Sequence, residues 1–303
     1  MITEKMAADL GIESSFVRSV ARGASHAYKT YAIRKRSGGE RLIAHPSKQL
    51  KALQRWYLTY VLPAFPVHSA AMAYREKISI FDNAATHADS RFLLRMDFRN
   101  FFPSISEADL RTYIQGRAAL FEGWTPFDID IFCMLVMLDS HLAIGAPTSP
   151  ALSNILCFDM DCELSDLCAK HGVSYTRYAD DLFLSTSQPN VLNAVQSQAE
   201  AIVSGLSLPA HLQINTAKTR HSSKRGARRV TGIVLGSDNK PYIGRRLKRK
   251  IRSLIFNLDS LGAQSRAHLS GLLAYAVGFD PDFMNSLIMK YGHAKVRKAQ
   301  FPN

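Results

Sequence analysis

Tyr178-Ala179-Asp180-Asp181 is the stretch from which the fold of this chain is reasoned. Val173-Ser174-Tyr175-Thr176-Arg177-Tyr178 precedes it and Leu182-Phe183-Leu184-Ser185 follows, both apolar and β-prone. The pattern predicts a strand, a tight turn and a strand, with both acids at the tip. Two adjacent ionised carboxylates repel, and folding alone gains nothing from placing them there. A divalent cation offsets that repulsion, because Mg²⁺ favours one or two carboxylates together with phosphate oxygens and water. The stretch points to metal-dependent phosphoryl transfer on a hairpin tip.

A further acid is needed to hold two metals, and Asp97 is the best candidate. It ends Phe92-Leu93-Leu94-Arg95-Met96-Asp97, which predicts a mostly buried strand, and Phe98-Arg99-Asn100-Phe101-Phe102-Pro103-Ser104 follows. An aspartate at a strand end beside the hairpin would complete a carboxylate cluster. Two Mg²⁺ ions there would activate an attacking hydroxyl and stabilise a leaving pyrophosphate. Taken alone, Asp97 reads equally well as a helix N-cap or turn acid.

With 303 residues, the chain suits one large domain or two to three subdomains sharing a core, and 47% hydrophobic residues suffice to build it. The net charge of +13 calls for a polyanionic partner. No apolar run reaches the roughly 18 to 20 residues needed to span a bilayer, and the start lacks a signal-peptide core. These features predict a cytoplasmic protein with nucleic acid rather than membrane as its partner. Cys157, Cys162, Cys168 and His171 cluster loosely, but their spacing fits no zinc-site pattern; small buried residues on a helix is the better reading.

No repeat or linker divides the chain. Residues 3–23 are predicted helical, with Thr3 or Ser14 as caps. Tyr28 to Arg34 and Arg41 to His45 form a strand pair around Gly38-Gly39. A helix is expected from Ser47 to about Leu62, another from Pro150 to Gly172 with Leu152, Leu156 and Met160 in line. After Pro241 the pattern is strongly amphipathic, with Leu247, Ile251, Leu254, Leu258 and Leu261 in line, and two more helical stretches follow, Leu269 to Gly278 and Pro281 to Tyr291.

The ordered motifs resemble those of a reverse transcriptase over nearly the whole length. Tyr178-Ala179-Asp180-Asp181 matches the palm signature, and Met96-Asp97 through Pro103-Ser104 the first palm motif. Gly145-Ala146-Pro147-Thr148-Ser149-Pro150-Ala151-Leu152-Ser153-Asn154 matches the block that opens the palm helix, and Ile214-Asn215 with Lys218-Thr219 the segment after the catalytic hairpin. Asn83-Ala84-Ala85-Thr86-His87 and Val230-Thr231-Gly232 resemble elements of bacterial retron reverse transcriptases.

The resemblance implies an α+β, right-hand polymerase: N-terminal helices and fingers over 1–95, a palm with an antiparallel sheet over 96–240 carrying a fingers insertion around 105–140, and a helical thumb over 241–303. It implies an RNA-directed DNA polymerase of the bacterial cytoplasm that copies a structured non-coding RNA into branched single-stranded DNA (msDNA). Priming comes from a guanosine 2′-hydroxyl, and the enzyme serves anti-phage defence. The implied partners are that RNA, its msDNA product, dNTP substrates and an operon-encoded effector, with no membrane and with scope for higher-order assembly.

Residue by residue, the resemblance makes Asp97 and Asp180 the shared Mg²⁺ ligands, with Asp181 assisting. Phe102 matches the aromatic gate beneath the sugar, whereas Phe101 reads as core. Arg41 matches a fingers position that grips the triphosphate, a role Lys35 or Arg36 could share. Lys218 reads equally as a triphosphate contact or a surface lysine. Asn83 and His87 either touch template RNA or brace the fingers; without the resemblance, a cap and a satisfied polar residue are favoured. Many relatives carry Gln before the Gly-Ala-Pro block, where this chain has Ile144.

The basic loop with Lys224, Arg225, Arg228 and Arg229, and the helix face with Arg245, Arg249 and Arg252, are candidate phosphate contacts. A basic helical face is otherwise a solvated surface. The alternative within polymerases is a group II intron-like or diversity-generating reverse transcriptase, which the two retron-like elements disfavour. A nucleotidyl cyclase-like palm would not need this charge, and a non-enzymatic RNA-binding module has no use for clustered acids.

Overall fold

The computed structural model describes residues 1–34 and 38–301. Lys35 and Arg36, expected near the fingers turn, lie outside the described residues. The stretch 3–23 forms two helices, α1 (Ile2–Leu10) and α2 (Ser14–Arg22), because Gly11 adopts a left-handed conformation (φ 63°) that closes the first. Thr3 is not a cap; its buried hydroxyl donates to Asp128 Oδ1 (2.6 Å). Nor is Ser14, since Glu13 holds the N-cap position.

β1 (Tyr28–Arg34) and β2 (Glu40–Pro46) form an antiparallel hairpin. α3 (Lys48–Tyr60) follows, its first turn capped by Ser47 Oγ accepting from the Leu50 amide (3.3 Å). α4 (Ile80–Thr86) opens on a reciprocal Ser79–Asp82 box and leads to β3 (Phe92–Asp97). α5 (Glu107–Gly116) and α6 (Pro126–Val136) start on the same device, Ser106 with Asp109 and Thr125 with Asp128. A short ribbon, β4 (Met137–Leu138) and β5 (His141–Leu142), precedes α7 (Ser149–Leu156) and α8 (Phe158–Lys170). The single helix expected there is broken at Cys157.

β6 (Ser174–Tyr178) and β7 (Asp181–Thr186) form the predicted hairpin. α9 (Val191–Gly205), β8 (Arg220–Ser223), β9 (Arg228–Val230), β10 (Ile233–Leu235) and β11 (Pro241–Tyr242) come next. Four helices close the chain: α10 (Arg245–Phe256), α11 (Ala263–Phe279), α12 (Pro281–Tyr291) and α13 (His293–Gln300).

The central sheet is antiparallel with strand order β6-β7-β3-β8. Successive side chains of a strand alternate faces. On β7, Leu182 and Leu184 enter the main core while Phe183 points to a second cluster with Leu93, Ala84, Ala88, Val230, Ile233 and Leu235. Both faces of β7 are covered, so Leu182-Phe183-Leu184 is apolar without alternation. The main core joins α1–α3 to the sheet and to α5–α9; Cys133, Cys157 and Cys168 are buried in it. α10–α13 build a separate core, in which Ile251 and Ile255 belong with Leu269, Leu273 and Leu287.

Candidate active site

The acids converge through strand register. Asp97 ends β3 directly opposite Asp181 of β7. Facing residues of an antiparallel pair hold their Cβ atoms about 4.5–5.5 Å apart. Tyr178 pairs with Asp181, so the turn itself is Ala179-Asp180, with Ala179 in a left-handed conformation (φ 56°). Asp181 therefore belongs to the strand rather than to the tip. The Phe98 amide donates to the Asp180 carbonyl (2.9 Å), and the Asn215 amide to the Asp97 carbonyl (2.7 Å). Main-chain bonds thus fix the acids from both sides.

Two cationic side chains answer this charge. Arg95 forks onto Asp181, with Nη2 2.8 Å from Oδ1 and 3.0 Å from Oδ2. Lys218 Nζ lies 2.8 and 3.0 Å from the Asp97 oxygens. Burial raises the Asp180 pKa above the carboxylate range; the charge on Asp97 raises it further, and Arg41 and Lys218 oppose. Burial likewise pushes Asp181 up to about 6, against Arg95 and with Asp180 and Asp97 adding to the rise. The three acids are within electrostatic reach of one another. Among the described residues no three His, Cys, Asp or Glu side chains form a ready-made cation cage. The hard oxygen donors and the cationic groups already held on Asp97 and Asp181 fit a divalent metal in charge and ligand type.

The hairpin β1–β2 reaches this site. The Ala44 amide donates to the Ile144 carbonyl (2.8 Å). Gly145 follows at φ 120°, and a Cβ there would stand 2.6 Å from the Ala44 carbonyl oxygen, so only glycine allows this approach. Ile144 contributes its carbonyl to β2 and brings no polar side chain, in keeping with the departure from glutamine noted in the sequence. Arg41 is on β2, and its charge is felt at Asp180. Phe101 is buried and stacks on Phe98 (5.6 Å between centroids), whereas Phe102 is only half-buried.

Beneath the turn lies a network that motif reasoning missed. Arg177 and Asp161 are a fully buried ion pair, Nη2 to Oδ2 2.6 Å. Tyr175 Oη donates to Asp161 (2.7 Å), and Arg177 Nη1 donates to Asn154 Oδ1 (3.1 Å). Asn154 Nδ2 in turn donates to the Ala73 carbonyl (2.8 Å). Arg95 was missed as well. Its position two residues before Asp97, on the same strand face, is the signal that could have found it.

A model of the family "Reverse transcriptase (RNA-dependent DNA polymerase)" matches residues 33–247. The chain belongs to the reverse transcriptase family. The retron Ec83 reverse transcriptase of Escherichia coli is 34% identical over 284 residues, covering 91% of this chain and 90% of that one. The retron Mx65 reverse transcriptase of Myxococcus xanthus is 32% identical, covering 92% and 68%. Apo telomerase from Candida tropicalis shares the fold with a TM-score of 0.54 at 13% identity, covering 92% of this chain; the reverse transcriptase spans 63% of the telomerase. The chain is an RNA-directed DNA polymerase of retron type, with the α+β right-hand polymerase fold.

Three expected nucleic-acid contacts of this reverse transcriptase are corrected by burial. Asn83 and His87 are 0% exposed. Thr176 Oγ1 donates to Asn83 Oδ1 (2.6 Å) and lies 2.7 Å from His87 Nε2, while Ser185 Oγ lies 2.7 Å from His87 Nδ1. Burial drives the imidazole pKa down to about 3, keeping it neutral. Arg228 is also fully buried; it donates to the carbonyls of Ala88 (3.1 Å), Ser90 and Gly236 (2.8 Å). These residues join α4 to the sheet and to the β9–β10 hairpin. Thr231 (φ 47°) and Gly232 (φ 89°) make its two-residue turn, and Thr231 Oγ1 donates to the Ile80 carbonyl (3.3 Å). The two retron-like elements thus form one brace behind the sheet.

Arg225, Arg229, Arg245 and Arg249 are exposed. Lys224 donates to Asn239, and Arg252 lies over the Phe283 ring (5.1 Å). No helix among the described residues is long and apolar enough to cross a membrane.

Proposed function

We propose that Asp97, Asp180 and Asp181 carry nucleotidyl transfer with Mg²⁺, within fingers over 1–95, a palm over 96–240 and a thumb over 241–303. The observation that supports this most is the pairing of Asp97 with Asp181 beside the Asp180 turn. When bound, the metal lowers the pKa of the attacking hydroxyl and stabilises the departing pyrophosphate. Asp97 and Asp180 bind it; Arg41 and Lys218 hold the triphosphate, Lys218 from its half-exposed place on Asp97. The hydroxyl oxygen bonds to the α-phosphorus as the bond to pyrophosphate breaks. Phe102, half-buried at the site, closes the pocket beneath the sugar. Arg225, Arg229, Arg245 and Arg249 line the path of the template–product duplex, reading phosphate and shape rather than bases.

The product proposed is branched msDNA, copied from a structured RNA and primed by a guanosine 2′-hydroxyl, in anti-phage defence with a co-encoded effector, in the cytoplasm. Similarity to retron reverse transcriptases along about nine-tenths of the chain supports this reading. The test is co-expression with the structured RNA encoded beside the gene. The expected result is a discrete small DNA after RNase treatment, absent from Asp180→Ala. Its absence in the wild type, with primer extension on supplied RNA intact, would sink the retron product while leaving the polymerase reading in place.

A further inference from the structure

Tyr74 belongs to none of the motifs, yet the structure brings it to the site. Its ring is tilted against Phe102, centroids 6.4 Å apart, within the range of aromatic pairs. The charges of Asp180 and Arg41 both act on its phenol, and burial with Asp180 holds the hydroxyl protonated above its usual range. The residue as a whole remains 51% exposed, so it is not part of the packed core.

The backbone that presents it is unusual. Tyr74 has φ 61°, a conformation that side-chain-bearing residues seldom adopt. Such a pose persists where the surroundings over-determine it, and these do. Ala71 bridges Arg177 in parallel, the Arg177 amide donates to Ala70 (2.8 Å), and the Met72 amide to Arg177 (2.8 Å). Asn154 holds the Ala73 carbonyl, and Arg75 Nη1 donates to the Ser69 carbonyl (3.2 Å). Arg177 and Asn154 are the same residues that sit beneath the Tyr178–Asp181 turn. One buried network therefore sets both the acids and the residue before which the chain turns outward with its ring.

We propose that Tyr74 is a positioning residue for sugar selection: its ring holds Phe102 in place as the second wall of the nucleotide pocket, next to the sugar of the incoming deoxynucleotide. This rests on the reading of Phe102 as the sugar gate. The ring, not the hydroxyl, does the holding, because the contact with Phe102 is between rings.

The experiment is primer extension on an RNA template, comparing kcat/KM for dNTP and rNTP in the wild type, Tyr74→Phe, Tyr74→Leu, Phe102→Ala and the double variant Tyr74→Leu/Phe102→Ala. Thermal melting controls for folding, which a half-exposed ring leaves intact. Tyr74→Phe keeps the wild-type sugar preference. Tyr74→Leu loses about two- to tenfold of it, the size expected when one aromatic pair is removed. The double variant is no less selective than Phe102→Ala alone, since both changes remove the same wall. Unchanged selectivity in Tyr74→Leu, with Phe102→Ala permissive, overturns the role of Tyr74 and spares the gate. Additive losses in the double variant also overturn it. Unchanged selectivity in Phe102→Ala overturns the gate and the role of Tyr74 together.

Discussion

Replacing Asp161 by Asn should unsettle the molecule far more than a change of one atom suggests. Asp161 and Arg177 are both 0% exposed, and the carboxylate takes three guanidinium contacts of 2.6, 2.8 and 3.1 Å plus the Tyr175 hydroxyl at 2.7 Å. Asparagine keeps the shape and one acceptor but removes the countercharge. The guanidinium then has only neutral acceptors: the remaining amide oxygen at 161, Asn154 Oδ1 at 3.1 Å and the Ala179 carbonyl at 3.4 Å. Breaking a buried pair by removing one partner costs about 3–5 kcal/mol, because the other charge is left uncompensated. Against a total stability of about 5–15 kcal/mol, that is a large share. Urea denaturation followed by circular dichroism measures it. The reasoning further expects Asp161→Leu/Arg177→Met to recover most of the loss, since apolar replacement of both partners removes the stranded charge. Polymerase activity should stay low in the double variant, because Ala179 and Asn154 lose their tether. A loss below about 1 kcal/mol for Asp161→Asn would refute the account of the pair as a buried, mutually dependent unit.

Other consequences follow from charge. His87 has a folded pKa of about 3, below its unfolded value, so the unfolded chain takes up a proton as pH falls through about 6.5 while the native chain does not. Lowering the pH to about 5 should remove about 2 kcal/mol that His87→Gln does not lose, read by denaturation at both pH values. Asp181 is shifted the other way, up to about 6, so protons compete with a cation for its carboxylate increasingly as the pH falls towards and below that value. Added Mg²⁺ should therefore raise the melting temperature near neutral pH and lose that effect as pH falls through about 6, measured by thermal shift. Neutralising the exposed Arg245 and Arg249 together should reduce the slope of log affinity against log salt for an RNA–DNA hybrid by about 1 to 2. An unaltered slope would show that this helix face meets solvent only.

The strands around Tyr178-Ala179-Asp180-Asp181 and the strand ending at Asp97 were legible because local patterning and burial agree there. The sheet is covered on both faces, which leaves runs such as Leu182-Phe183-Leu184 that can hardly be anything else. Gly145 was legible as a motif residue, but its reason, the 2.6 Å approach to the Ala44 carbonyl, joins segments a hundred residues apart. The helix break at Cys157 was not legible, since the apolar spacing of Leu152, Leu156 and Met160 continues across it; at Gly11 the break lay inside a stretch read as one helix. Asn83, His87 and Arg228 were misplaced for a shared reason. The resemblance pointed Asn83 and His87 toward RNA and charge pointed Arg228 toward phosphate, whereas the partners that make burial tolerable, Thr176, Ser185 and Ser90, are about ninety or more residues away in sequence. Arg177 and Asp161 escaped notice likewise, being on a strand and a helix with no motif of their own. Tyr74 carried no signal at all, because a left-handed backbone at a non-glycine residue leaves no trace in composition.

The most direct measurement is single-turnover primer extension on an RNA template by Asp97→Asn and Asp180→Asn, with binding of the primer–template followed in parallel. These substitutions keep shape and remove charge where the strand register brings the carboxylates together. The expected outcome is a fall in nucleotide addition of about a thousandfold or more with binding retained, in keeping with transition-state stabilisation worth several kcal/mol. Addition at near wild-type rates by either variant would contradict the claim that these acids do the chemistry.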